Sequence, residues 1–223
     1  NLDECRLCDA CAEACYAEAR QIAGRPMSVA QVMDEIERDL AFYDAPPRGG
    51  VTFSGGEPLL QAGFLRELLA ACQRQEIHTA VDTSGFAPWP ILDSIREHVD
   101  LFLYDLKVMD EAKHTRYVGV PNAQILHNLR RLSELGHTII VRVPIVPGLN
   151  DDDENLRRLG AFAAQLPHLK RIGILPYHLA GVEKYRRLNR PYHLANVRPP
   201  SDERMNEIAA VLQEFGLAVK IGG

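Results

Sequence analysis

Short apolar segments alternate with amphipathic ones from Arg25 to the C-terminus, and this alternation constrains the fold more than any other feature of the chain. Residues 51–53, 78–81, 101–104, 139–143, 171–175 and 217–221 are short apolar runs that read as strands. Before and between them, residues 28–43, 62–76, 88–98, 110–117, 124–135, 151–165 and 201–215 carry apolar side chains at helical spacing. Ser28 and Ser201 are placed to cap the first and last of these helices, and Asp151, Asp152 and Asp153 lie at the positive end of another. Strands separated by helices pair in parallel through right-handed crossovers, so the pattern predicts an α/β fold, a barrel or partial barrel. A long Pro- and Arg-bearing loop, 176–200, interrupts the alternation once.

Charged and polar residues collect at one end of these strands. Glu57 follows the first, Asp82 the second, Asp105 and Lys107 the third, Arg142 closes the fourth and His178 follows the fifth. Each has an ordinary explanation alone: Asp82 as a turn former, Arg142 as a partner of Asp105, His178 as a satisfied core histidine. Charge beside apolar strands is costly unless paired or bound, and carboxyl ends of barrel strands are where active sites are assembled. The coincidence predicts one polar pocket. Its most specific part is Ser54-Gly55-Gly56-Glu57-Pro58, where two glycines let the backbone approach a ligand and Glu57 offers an acceptor to an amine. A lone Gly-Gly-Glu-Pro would pass for an ordinary tight turn, and the other strand ends change that reading.

With 223 residues and 46% hydrophobic content, the chain can bury one core and carry a small appendage, here expected as 1–24 beside a main domain at 25–223. A net charge of −5 and the lack of a basic patch argue against nucleic acid or an anionic membrane as partner. No apolar run is long enough to span a bilayer and no signal-peptide pattern opens the chain, so a cytoplasmic protein is expected. Cys5, Cys8, Cys11 and Cys15 crowd the appendage in a C-x2-C-x2-C-x3-C run, which in such a compartment argues for metal over disulfides. This is the bacterial ferredoxin spacing for [4Fe–4S] ligation, with Tyr16 in place of the usual proline. Cys15 would then ligate a different cluster from the other three. Zinc is the competing metal, although its sites usually come as two separated pairs. Cys72, on an apolar helical face, reads as inert core.

Five ordered segments carry a family likeness: Ser54-Gly55-Gly56-Glu57-Pro58, Asp82-Thr83-Ser84-Gly85, Tyr104-Asp105-Leu106-Lys107, the run from Val141 to Gly148, and Leu175-Pro176-Tyr177-His178. Together they resemble the glycyl-radical enzyme activating enzymes, of the pyruvate formate-lyase type, within the radical S-adenosylmethionine superfamily. The resemblance implies a partial (β/α)6 TIM-type barrel whose first strand is missing here, and it implies that Ser54, Gly55, Gly56 and Glu57 bind the methionine amino group of S-adenosylmethionine. It further implies that Asp105, Lys107, Arg142 and His178 surround the cofactor or a substrate peptide, and that Asp82 accompanies a monovalent cation. The superfamily's C-x3-C-x2-C triad for the catalytic [4Fe–4S] cluster does not occur in these residues, and the cysteine run resembles part of a ferredoxin-like insert. An amino-terminally truncated member, inactive as it stands, is the expectation.

The implied activity of the whole protein is generation of a glycyl radical on a partner enzyme through a 5′-deoxyadenosyl radical. Its implied partners are a glycyl-radical enzyme like pyruvate formate-lyase and an electron donor such as flavodoxin or ferredoxin. Residues 179–190, with Lys184, Tyr185, Arg186 and Arg187, are the candidate contact for the partner's glycine segment, or else a solvated basic loop. Three other readings stay open: a radical enzyme acting on a small molecule, a ferredoxin-like electron carrier, and a barrel enzyme in which Lys107 forms a Schiff base.

Overall fold

The computed structural model describes residues 6, 8–17, 19, 24–43, 49–179, 182, 185–186 and 190–222. Six strands, β1 (Val51–Phe53), β2 (Thr79–Thr83), β3 (Leu101–Asp105), β4 (Ile139–Ile145), β5 (Leu169–Pro176) and β6 (Val219–Ile221), form one sheet in chain order. Every neighbouring pair is parallel. Sequential parallel order is the arrangement of a barrel wall, and among the described residues β1 and β6 remain its two edges.

The helices before and between the strands are α1 (Ala10–Glu13), α2 (Val29–Glu37), α3 (Leu40–Tyr43), α4 (Ala62–Arg74), α5 (Trp89–Ile95), α6 (Glu111–Val118), α7 (Ala123–Glu134), α8 (Asp153–Ala163) and α9 (Asp202–Gln213). Ser28 and Gln31 form a reciprocal capping box at the start of α2, and Ser201 and Asp152 cap α9 and α8 through Arg204 N and Asn155 N. The single helix expected over 28–43 is broken at Arg38 and Asp39. There Asp39 N turns back to Ile36 O and the Asp39 carbonyl receives Phe42 N, closing one short helix and starting the next.

A continuous core packs the helices against the sheet, with Phe102, Leu129, Ile139, Val141, Leu156, Ile172 and Ile208 fully buried. A smaller cluster joins α2 to α4 through Met33, Ile36, Leu68 and Cys72. Cys72 is inaccessible, its Sγ lies 3.9 Å from Met33 Sδ, and burial pushes its thiol pKa up, as fits an inert core residue. Two strand boundaries differ from the sequence reading in a way that matters for the site. β2 extends to Thr83 and so contains Asp82, and β4 extends to Ile145, which places Arg142 inside the strand and not at its end. Cross-strand pairing of these charges, described below, offsets the cost of carrying them in the sheet. No helix among the described residues is long and apolar enough to cross a membrane.

Candidate functional site

β1 ends at Phe53 and the chain enters the turn 54–57, where Gly55 takes a φ of 135°, a backbone conformation that favours glycine. A Cβ added at Gly55 or Gly56 would meet nothing within 4 Å, so this stretch of backbone faces open space and can be approached closely. Ser54 Oγ donates to Asp82 Oδ2 at 2.9 Å and ties the turn to β2.

Glu57 is held more firmly than an isolated acceptor would be. Its Oε1 accepts from Thr83 Oγ1 at 2.7 Å and from Leu59 N at 3.2 Å, the latter capping the short 3-10 helix Pro58–Gln61. Its Oε2 accepts from Ser84 N at 3.0 Å and Ser84 Oγ at 2.6 Å. A carboxylate has about four lone-pair sites, and protein donors occupy them all. Glu57 therefore fastens the β1 turn to the loop after β2, and the groups best placed to face a ligand are the open backbone of Gly55 and Gly56 and the outer faces of these side chains.

That loop is fixed in turn from behind. Gly85 adopts a φ of +69°, and a Cβ there would lie 1.7 Å from Tyr104 Oη. Tyr104 is fully buried and donates to Ile125 O at 2.8 Å. Burial first, and the nearby Glu57 charge second, raise its pKa well above the ordinary tyrosine value, so it stays a donor.

Beside the turn, Arg142 gathers two carboxylates. Its Nη2 donates to Asp82 Oδ1 and, at 2.9 Å, to Asp105 Oδ1, while Nε reaches the same Asp105 oxygen at 3.2 Å. Lys107 Nζ stands 3.7 Å from Asp105 Oδ2. Burial raises the Asp105 pKa above the usual carboxylate value, although Arg142 and Lys107 pull it the other way. With Glu57 included, three carboxylates face two cations, so the strand ends carry an excess of negative charge that suits a cationic ligand.

These groups open on a cavity of about 440 Å³. Ser54, Gly55, Gly56, Glu57, Asp82, Asp105 and Lys107 are among its polar lining, and Leu60, Phe86, Val118, Val120 and Ile125 are its apolar lining. Arg142 stands behind Asp82 and Asp105, and His178, two residues past β5, is not part of the lining. Sequence reasoning assigned no role to Thr83 and Ser84, which hold Glu57, or to His114, a buried cavity-lining residue whose Nδ1 donates to Val120 O at 2.7 Å. Thr83 and Ser84 follow Asp82 just past an apolar run, and that position is the available signal.

Of the cysteine run, Cys8 and Cys11 are exposed, Cys15 is partly buried and Cys5 lies outside the described residues. Among the described residues no three metal-ligating side chains gather at one point. Of the loop 179–190, Tyr185 and Arg186 are described, whereas Lys184 and Arg187 lie outside the described residues. Tyr185 packs edge-on against Tyr192 at 4.9 Å, and Tyr192 shares a 2.9 Å hydrogen bond with Tyr177 just after β5.

The geometry of a parallel barrel wall with a glycine-lined, carboxylate-rich turn after its first strand agrees with a family comparison. The model of the radical SAM superfamily matches residues 5–160. This chain belongs to that superfamily. Members use a [4Fe–4S] cluster and S-adenosylmethionine. The chain is 40% identical over 208 residues to the indoleacetate decarboxylase activating enzyme of Tractidigestivibacter scatoligenes, covering 93% of this chain and 65% of that protein. It is 38% identical over 208 residues to the trans-4-hydroxy-L-proline dehydratase activating enzyme of Clostridioides difficile, covering 92% of this chain and 68% of that protein. In structure it resembles a domain of pyruvate-formate lyase-activating enzyme from Bacteroides vulgatus, with a TM-score of 0.67, 38% identity, and coverage of 78% of this chain and 99% of that one. The chain thus spans about two thirds of the length of the first two relatives.

Proposed function

We propose that the strand-end cavity binds S-adenosylmethionine and that the whole protein is an activating enzyme that installs a glycyl radical on a partner enzyme. The observation that carries this reading is the Gly55-Gly56-Glu57 turn, with its open backbone and its carboxylate locked by Thr83 and Ser84. S-Adenosylmethionine carries a sulfonium and an ammonium against one carboxylate, a net positive charge that the excess of acid at the strand ends complements. A cavity of about 440 Å³ falls within the range of small-molecule sites.

In this reading the carbonyls of the turn receive the ligand's ammonium and Lys107 steers its carboxylate, while Arg142 holds Asp82 and Asp105 in place from behind. The apolar lining from Phe86 to Ile125 offers surface to the less polar parts of the ligand. When bound, S-adenosylmethionine supplies homolytic carbon–sulfur cleavage after one-electron reduction, with a hydrogen atom then taken from the substrate. The protein's share is binding, orientation and protection, and His178, Asp82 with a monovalent cation, and an electron donor such as flavodoxin remain parts of the proposal.

Two other readings lose support from the geometry. Lys107 is ion-paired with Asp105 and its side chain is 35% exposed, unlike the desolvated lysine that forms a Schiff base. A bare electron carrier has no use for a cavity lined by three carboxylates and a lysine, with an arginine holding two of the carboxylates. The test is electron paramagnetic resonance on the full-length, iron–sulfur-reconstituted protein mixed with S-adenosylmethionine, reductant and a glycyl-radical partner from its own genome. A glycine-centred doublet on the partner supports the proposal. Cofactor cleavage that runs equally without any protein partner, on a small molecule, would replace it.

A further inference from the structure

Asn128 sits in the middle of α7 and is completely buried, on the apolar stripe that includes Ile125, Leu129 and Leu132. A polar side chain there is costly unless its groups are used. Its amide Nδ2 donates to two backbone carbonyls of the loop after β2, Gly85 O at 2.9 Å and Ala87 O at 2.8 Å. Gln124, one turn earlier, adds a third bond to Ala87 O at 2.9 Å. The other end of the amide, Oδ1, is buried without a partner among the described residues. The side chain thus leaves one acceptor unsatisfied while both of its donors serve the loop.

The same loop presents its other groups to the ligand side. Thr83 Oγ1 receives Gly85 N at 2.9 Å and donates to Glu57, and Ser84 gives Glu57 both its amide and its hydroxyl. A path of hydrogen bonds therefore runs from α7 to Gly85, on to Thr83 Oγ1 and to the Glu57 carboxylate, which directly follows the open Gly55-Gly56 backbone in the chain. Similar buried asparagines serve neighbouring strand-end loops. Asn150 Nδ2 donates to Lys107 O and Pro144 O, and Asn122 Nδ2 to Val108 O and Met109 O. Asn128 alone among these three touches the loop that grips Glu57.

We propose that Asn128 is a positioning residue for the cofactor turn, holding the loop after β2 so that Thr83 and Ser84 fasten Glu57 and thereby keep the Gly55-Gly56 backbone in its ligand-binding geometry. Only a side-chain amide fits this role. An aspartate would set carboxylate oxygens against two carbonyl oxygens, and a leucine would take one donor from each carbonyl, leaving Gly85 O to Ala87 N and Ala87 O to Gln124. The inference rests on the proposed function of the turn.

The experiment measures binding of S-adenosylmethionine by isothermal titration to the full-length reconstituted protein, together with amide hydrogen exchange at Ser84 and Gly85. Wild type, Asn128→Leu and Leu132→Ala are compared. Leu132 is fully buried on the same helix and makes no contact with the loop in the hydrogen-bond network, so it controls for loss of core packing. Asn128→Leu is expected to weaken binding at least about tenfold, the effect of roughly one buried hydrogen bond's worth of misplacement, and to speed exchange at Ser84. Leu132→Ala is expected to lower thermal stability while binding stays within about twofold, because sites without shared partners act independently. Equal affinity and equal Ser84 protection in Asn128→Leu would overturn the positioning role. Failure of the wild type itself to bind would instead overturn the reading of the turn.

Discussion

Replacing Arg142 with methionine should expose how the charges at the strand ends depend on one another. Arg142 is the common partner of Asp82 and Asp105, and the three side chains are only 20–22% exposed. Methionine keeps much of the volume and removes the guanidinium, leaving, among the described residues, Asp82 with the Ser54 hydroxyl and Asp105 with the more distant Lys107. Breaking a fully buried pair costs about 3–5 kcal/mol. Because these groups retain some solvent and Lys107 remains, about 2–3 kcal/mol is expected at pH 7 from urea denaturation, read as a lower midpoint at unchanged slope.

The loss should also depend on pH. Burial holds Asp105 above the ordinary carboxylate value even in the wild type, so between that value and the raised native one the folded state binds more protons than the unfolded. Stability contributed by Asp105 protonation is present below the unfolded value and disappears as pH rises through the folded one. In Arg142→Met the folded value rises further, so the deficit relative to wild type should be largest at neutral pH and shrink on acidification. A deficit under about 0.5 kcal/mol, the size of a surface substitution, or one that stays flat from neutral to acid pH, would refute this account of the cluster.

Gly85→Ala places a Cβ 1.7 Å from Tyr104 Oη at a φ of +69°. Left-handed strain and overpacking together should cost about 3 kcal/mol, measured by urea denaturation. Glu57→Gln retains the shape but sets an amide NH2 against Thr83 or Ser84 donors, and calorimetry should show at least about a tenfold loss of S-adenosylmethionine affinity. Ser28→Ala removes one side of the α2 capping box and should lower stability by about 1 kcal/mol in thermal melts, without changing ligand affinity.

The strands were legible because each is a short apolar run between helices, and the order of the sheet follows from parallel pairing of neighbours. Their ends were harder to read. Asp82 and Arg142 look like strand terminators in one dimension, yet both lie inside strands because Arg142 neutralises Asp82 from two strands away. Glu57 was readable as a site residue, but not its full set of protein donors, since Thr83 and Ser84 reach it across a 26- to 27-residue separation. Asn128 left a trace, a polar residue on an apolar helical stripe, but its purpose depends on carbonyls that only the folded loop presents. The break of the first long helix at Arg38 and Asp39 is a local competition between continuing and turning back, and periodicity does not resolve it.

The most direct test of the central claim is anaerobic turnover by the full-length gene product reconstituted with iron and sulfide, with 5′-deoxyadenosine quantified after S-adenosylmethionine and reductant are added. The account predicts 5′-deoxyadenosine from the wild type and its loss in Glu57→Ala, with cluster content unchanged. A fully loaded protein that binds and cleaves no S-adenosylmethionine, or a Glu57→Ala variant that cleaves it at the wild-type rate, would contradict the assignment of the strand-end turn.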